Sequence, residues 1–147
     1  MSLEDTIIQQ ALKLLESRLR TAVVKISSPE VVTQYLTHKL ALEEREIFGV
    51  IWLDVNLGVV ACEEMFFGTL TQAAVYPREV VKSALKHNAA SAIIFHNHPS
   101  GSLEASRADK DLTAKLKQTL ELIDVRLLDH FIVAGTKTMS FAQSGQL

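Results

Sequence analysis

Apolar positions recur at helical spacing over residues 2–20, where Ile7, Ile8, Ala11, Leu12, Leu15 and Leu19 form one face and Ser2 and Asp5 stand as start signals. This predicts an amphipathic helix. Ser28-Pro29-Glu30 opens a second one, with Ser28 as its cap and Pro29 at its first position, running to about residue 40. Val32, Tyr35 and Leu36 are its core-facing residues. The period then changes. Glu46 is followed by Ile-Phe-Gly-Val-Ile-Trp-Leu, a run of β-formers closed by a turn over residues 54–58, and residues 59–67 return as a hairpin partner. Pro77 starts a third helix that ends near Asn88 and leads into an apolar run of strand length, residues 89–95. A helix between strands makes a βαβ-like crossover, which sets the second strand parallel to a neighbour. Residues 106–122 show Leu112, Leu116 and Leu120 on one helical face, residues 125–133 read as a strand, and residues 139–141 as a last short one. The fold class is α/β.

Composition narrows the setting. A chain of 147 residues with 48% hydrophobic content suits one α/β core. A formal net charge of −2 gives no global attraction to nucleic acid and leaves room for a local basic face. The single cysteine, Cys62, forms no internal disulfide, which fits a reducing compartment. Asp5 and Lys13 interrupt the first apolar pattern and no run approaches membrane-spanning length, so a soluble, cytoplasmic protein with no membrane partner is expected. There is no internal repeat or low-complexity tract.

The chemistry collects in Phe95-His96-Asn97-His98-Pro99-Ser100-Gly101 and in Ser106-Arg107-Ala108-Asp109. His96 and His98 stand just beyond an apolar strand, where α/β sheets tend to place reactive groups. Two residues apart on extended chain, both imidazoles project from one face, as two ligands of one ion must. Asp109 falls in the first turn of a helix that Ser106 can cap, which returns its carboxylate to the strand mouth. Two His and one carboxylate leave a coordination position open for water, the arrangement of a catalytic zinc site. A blander reading stands beside this one: Ser106-x-x-Asp109 also resembles a capping box, and a His-x-His pair alone is weak. Glu46, at the mouth of an apolar strand, is either a buried carboxylate with a pKa raised toward general-base use or an exposed entry charge like Glu43 and Glu44.

The composite pattern, His96-x-His98-Pro99, seven residues, Ser106, two residues, Asp109, resembles the JAMM (MPN-type) zinc metalloprotease motif. The wording His96-Asn97-His98-Pro99-Ser100-Gly101 looks like the RadC-type branch, and so do residues 76–81 and 127–133. The resemblance covers about residue 43 to the C-terminus. It implies a central mixed β-sheet flanked by helices, of JAMM/MPN (cytidine deaminase-like) architecture, with residues 1–40 as a helical extension packed on a domain of residues 41–147. It implies one zinc ion per chain on His96, His98 and Asp109, Glu46 as general base, and Ser106 donating to the oxyanion. Related loops commonly carry Pro before the serine; Ala105 departs from this, which loosens the loop without removing a ligand.

Amide or isopeptide cleavage of a peptide or protein substrate is the implied activity. The RadC name is also attached to DNA repair, so a metal-dependent nuclease and a non-catalytic binding module of DNA-repair or prophage context are the alternatives. Longer RadC-type proteins bind DNA backbone through a helix-hairpin-helix region with glycine hairpins. This chain has no glycine before Gly49, so a short form without that region is expected. A homo-oligomer through the first helix is open.

Three further residues are candidates for supporting contacts. Arg78 either holds the site's carboxylates or a substrate, or forms a surface salt bridge. Asp129-His130, a polar pair inside an apolar strand, is either a satisfied structural hydrogen bond or an outer support of the site. His38 reads as surface, and Cys62 as a small packing residue.

Overall fold

The computed structural model of the chain describes residues 1–20, 29–68 and 74–147. The elements are α1 (Leu3–Arg20), α2 (Pro29–Leu40), β1 (Ile47–Leu53), β2 (Val59–Phe67), α3 (Pro77–Lys86), β3 (Ser91–Asn97), α4 (Arg107–Glu121), β4 (Arg126–Ala134) and β5 (Lys137–Ser140). They build a mixed sheet of five strands in the order β2-β1-β3-β4-β5. β1 runs antiparallel to both neighbours, β3 and β4 are parallel, and β5 closes the far edge as an antiparallel hairpin with β4. The crossover expected before the motif strand is present but skips a strand. α3 carries the chain from β2 across β1 to β3, and the parallel neighbour of β3 is β4, reached through α4.

Strand alternation sorts the core onto two faces. Ile47, Ile51 and Leu53 of β1, with Ile93 and Phe95 of β3, meet Leu15 of α1 and Val32, Tyr35, Leu36 and Leu40 of α2. Phe48, Val50 and Trp52, with Ala92 and Ile94, meet Val80 and Ala84 of α3 and Leu116 and Leu120 of α4. Helices therefore cover both faces of the sheet. Every residue of β1 and β3 is buried, which is why these strands read as continuous apolar runs. Each large apolar side chain buried this way contributes about 1.5–3 kcal/mol, so the β1–β3 pair is a firm platform for what sits at its end.

Local signals explain the element ends. At α1, Ser2 Oγ accepts from the Asp5 N–H at 3.0 Å and the Asp5 carboxylate accepts from the Ser2 N–H at 3.1 Å, a reciprocal cap. Ile7, expected on the packed face, is 56% exposed. The inward stripe runs through Ile8, Ala11, Leu12 and Leu15, one position round the helix. Ser28 and the Leu19 side chain lie outside the described residues. Gly49 sits where no other residue fits: a Cβ there would stand 2.3 Å from Phe95 Cζ and 2.6 Å from the Glu63 carbonyl oxygen. Among the described residues, no helix is long and apolar enough to cross a membrane.

Candidate metal centre

The site forms where β3 ends, β1 begins and α4 starts. β3 continues to Asn97 because its pairing with β4 holds to Asn97↔Val133. His96 is thus inside the strand rather than just past it. Its side chain lies on the α3/α4 side, and His98 follows on the same side. The chain then turns at Gly101, whose φ of 88° falls in the left-handed region, and reaches the N-cap Ser106. Ser106 Oγ accepts from the Asp109 N–H at 3.0 Å, and Asp109 Oδ2 accepts from the Ser106 N–H at 2.8 Å, so the capping box is complete.

That cap does not withdraw Asp109 from the histidines. Its Oδ1 lies 3.1 Å from His96 Nε2 and its Oδ2 lies 3.0 Å from His98 Nε2. The two Nε2 atoms are 2.9 Å apart. Glu46 Oε1 stands 3.9 Å from His96 Nε2, and one donor atom from each of Glu46, His96, His98 and Asp109 lies within 4.8 Å of all the others. The two readings of Ser106-x-x-Asp109, helix punctuation and metal ligation, are therefore compatible in one geometry.

Charge is organised around the same point. Burial pushes the Glu46 carboxyl up, opposed by His96 and His98 and reinforced by Asp109. Burial acts the same way on Asp109, but hydrogen bonds from His96, His98 and the Ser106 N–H outweigh it and hold the carboxyl far below its usual range. Its hydrogen bond with Asp109 raises His98 against desolvation. His130, fully buried, is pushed well down by desolvation first and His96 second, and stays neutral.

The donor set fits a divalent cation. His98 Nδ1 lies 2.8 Å from the Ser102 carbonyl, so a neutral His98 gives its hydrogen there and turns an Nε2 lone pair inward. Two ligands each about 2.1 Å from a shared zinc ion at the tetrahedral angle stand about 3.4 Å apart, a little wider than the Nε2 separation here. Two imidazoles with carboxylates are borderline ligands of the kind zinc takes. Access is from two sides, through cavities of mixed lining: one of about 450 Å³ bordered by Glu46, His98, Ser102, Ser106 and Asp109, and one of about 240 Å³ where Phe48, Val75 and Leu112 stand beside Glu46, His96 and Asp109.

The remaining candidates part company. His130 Nε2 lies 2.7 Å from His96 Nδ1, directly behind the ligand. Asp129 faces away: it accepts from Ser140 Oγ at 2.6 Å, the Ala142 N–H at 3.0 Å and the His130 N–H at 2.7 Å, and so pins the C-terminal turn to β4. Arg78, in the first turn of α3, is exposed and makes no hydrogen bond or ion pair among the described residues. His38 is exposed and bonds to the Gln34 carbonyl. Cys62 packs at the edge of the α1/α2 core, where burial pushes its thiol up to about 11. Ala105 is buried against Ile132 and Phe141.

Sequence reasoning missed Asn97. Its Oδ1 accepts from the Ile47 N–H at 2.6 Å and its Nδ2 donates to the Arg45 carbonyl at 3.0 Å, which clamps the main chain on both sides of Glu46. The available signal was a buried polar residue between the two histidines, on the opposite side of the strand. Thr113, whose hydroxyl lies 2.6 Å from His130 Nδ1, was also missed.

A mixed sheet between two helical layers, with a Glu/His/His/Asp cluster at its strand ends, defines a JAB/MPN-type domain. Residues 26–146 match the family model described as the RadC-like JAB domain, and the chain belongs to that family. The match takes in α2 as well as the sheet. Relatives include a UPF0758 protein of Herminiimonas arsenicoxydans, 56% identical over 86% of this chain and 56% of its own length. Another, from Methylibium petroleiphilum, is 52% identical over 96% of this chain and 63% of its own length. A third, from Nitrosospira multiformis, is 51% identical over 96% of this chain and 62% of its own. The chain thus spans about three fifths of the length of these curated relatives.

Proposed function

We propose that this chain is a zinc-dependent hydrolase of amide or isopeptide bonds in a peptide or protein substrate, with one ion per chain held by His96, His98 and Asp109. The observation that carries it is the convergence of two imidazole Nε2 atoms and the Asp109 carboxylate at 2.9–3.1 Å, with a largely buried glutamate beside them. When bound, zinc supplies Lewis acidity and lowers the pKa of water toward neutrality.

The chain's own groups do the rest. Glu46, its carboxyl raised by burial, accepts a proton from the attacking water and returns it to the leaving amine. Ser106 Oγ uses a lone pair to cap α4, and its hydroxyl hydrogen goes to no acceptor among the described residues. That hydrogen is available to the oxyanion that develops in the cavity Ser106 shares with Glu46, His98 and Asp109.

The test begins with metal content, by elemental analysis of protein purified without chelator or metal-binding tag. Near one zinc in the native chain, lost in His98→Ala and in Asp109→Ala, supports the ligand set. Zinc-loaded protein is then presented with peptide, isopeptide and DNA panels. Glu46→Gln is expected to keep zinc and lose about 10²–10⁴ in rate, the usual contribution of a general base. Amide cleavage at the native rate by zinc-loaded Glu46→Gln counts against the mechanism, and cleavage of DNA alone moves the reading to a nuclease.

A further inference from the structure

We propose that His130 is a positioning residue of the metal centre: through hydrogen bonds anchored on the main chain of α4, it holds His96 in the tautomer that turns an unprotonated Nε2 toward the ion. The inference rests on the reading of His96 as a ligand.

His130 lies on β4, 0% exposed, opposite Ile94 of β3. Its ring stacks on Phe141 with centroids 4.4 Å apart and meets Phe48 edge-on at 6.3 Å. Aromatic neighbours pack its ring, and polar contact is made through its two nitrogens. Nε2 lies 2.7 Å from His96 Nδ1, and Nδ1 lies 2.6 Å from Thr113 Oγ1. Thr113 Oγ1 lies 2.7 Å from the main-chain carbonyl of Asp109.

Proton counting gives these bonds a direction. A carbonyl only accepts, so the Thr113 hydroxyl donates its single hydrogen to Asp109, the carbonyl four residues back in the helix. Thr113 Oγ1 then accepts from His130 Nδ1–H. A neutral imidazole has one N–H, so His130 Nε2 remains an acceptor and takes the Nδ1–H of His96. With an ion bound in place of the hydrogen bond to Asp109, His96, its one hydrogen committed to His130, presents its Nε2 lone pair to the space it shares with His98 Nε2 at 2.9 Å and Asp109 Oδ1 at 3.1 Å. The relay starts on the carbonyl of Asp109 and ends facing the carboxylate of the same residue. β3, β4 and α4 are tied together by it. A metal-bound histidine ordinarily gives its second N–H to a carboxylate, a carbonyl or water; here the acceptor is a second imidazole, held as an acceptor by Thr113.

Zinc affinity, measured by competition with a chromophoric chelator, tests this on the native chain, His130→Phe, His130→Gln and Thr113→Val. Thermal unfolding of chelator-treated samples runs alongside. His130→Phe keeps an aromatic ring against Phe141 and removes the acceptor. It is expected to bind zinc 10–100-fold more weakly, about the usual effect of losing an outer partner, while the metal-free protein stays folded with a modestly lower unfolding temperature, since a nitrogen of buried His96 loses its partner. His130→Gln, which restores an acceptor, recovers most of the loss, and Thr113→Val falls between. In zinc-loaded protein labelled with ¹⁵N at histidine, the His96 Nδ1 proton exchanges slowly in the native chain and rapidly in His130→Phe. Native-like affinity in His130→Phe, or equal weakening in His130→Gln, overturns the proposal. If His130→Phe does not fold, native-like affinity in Thr113→Val overturns it instead. A native chain that takes up no zinc overturns the ligand reading and this inference together, whereas equal zinc binding by native and His130→Phe removes only the role of His130.

Discussion

Asn97→Leu isolates what the clamp on Glu46 contributes. Leucine branches at Cγ as asparagine does, is larger, and offers neither acceptor nor donor. Ile47 is 0% exposed, so its N–H, which Asn97 Oδ1 takes at 2.6 Å, loses its partner where water does not reach, at about 1–3 kcal/mol. Arg45 is exposed, so its carbonyl exchanges the Asn97 bond for water at about 0.5–1.5 kcal/mol. Better burial of an apolar side chain returns about 1 kcal/mol. The net loss is about 0.5–3.5 kcal/mol, to which crowding by the larger side chain adds, against a typical total of about 5–15 kcal/mol for a domain, so the variant is expected to fold with lowered stability. Urea unfolding of chelator-treated protein measures it. Zinc stoichiometry is expected to hold, since Asn97 turns away from His96 and His98. The proposed hydrolysis is expected to fall about 100-fold, the effect of misplacing a catalytic group by about 1 Å. A native unfolding midpoint refutes the clamp, and a lowered midpoint with undiminished hydrolysis leaves it a role in the fold alone.

Three further outcomes follow from pH and packing. The Asp109 carboxyl is held below its ordinary 3.8, so its stabilising contribution to metal-free protein is present above 3.8 and lost as pH falls through the folded value. His98 is raised above its ordinary 6.5, so its contribution is present below 6.5 and lost as pH rises through the folded value. The pair therefore supports metal-free protein most between pH 3.8 and 6.5, and chelator-treated His98→Gln shows a flatter profile by chemical denaturation. Zinc affinity runs the other way and rises with pH, because His98 must release its proton to solvent before it can bind the ion; affinity independent of pH between about 5 and 8 is the result against it. Gly49→Ala forces a methyl against the Glu63 carbonyl and the Phe95 ring and is expected to lower stability by about 1–3 kcal/mol or more, read as a drop in thermal midpoint.

Most elements were legible because their periods are clean. β1 and β3 announced themselves as unbroken apolar runs since helices cover both their faces. What periodicity does not carry is neighbour order: nothing in residues 77–97 says that β1 lies between β2 and β3, or that the parallel partner comes later. The end of β3 was set two residues early because pairing with β4 keeps His96 and Asn97 in the ladder, a fact of the partner and not of the segment. His96, His98, Ser106 and Asp109 could be gathered from spacing alone, since one strand and one helix start bring them together. Glu46 needed the family resemblance, because its burial depends on a strand pairing across the chain. Asn97 and Thr113 went unread for the same reason: each looks ordinary until the elements it bonds to are in place.

The centre also divides along the chain's folding order. His98 and Asp109 are eleven residues apart on one continuous strand–loop–helix segment, whereas the clamp that places Glu46 joins residues fifty apart. Closing the shorter loop costs less chain entropy and is the faster event. The cation-binding half is therefore the part a folding chain can assemble early, and an ion captured there favours every later state that keeps those ligands together. Glu46, the proposed base, arrives last, when β1 docks along β3.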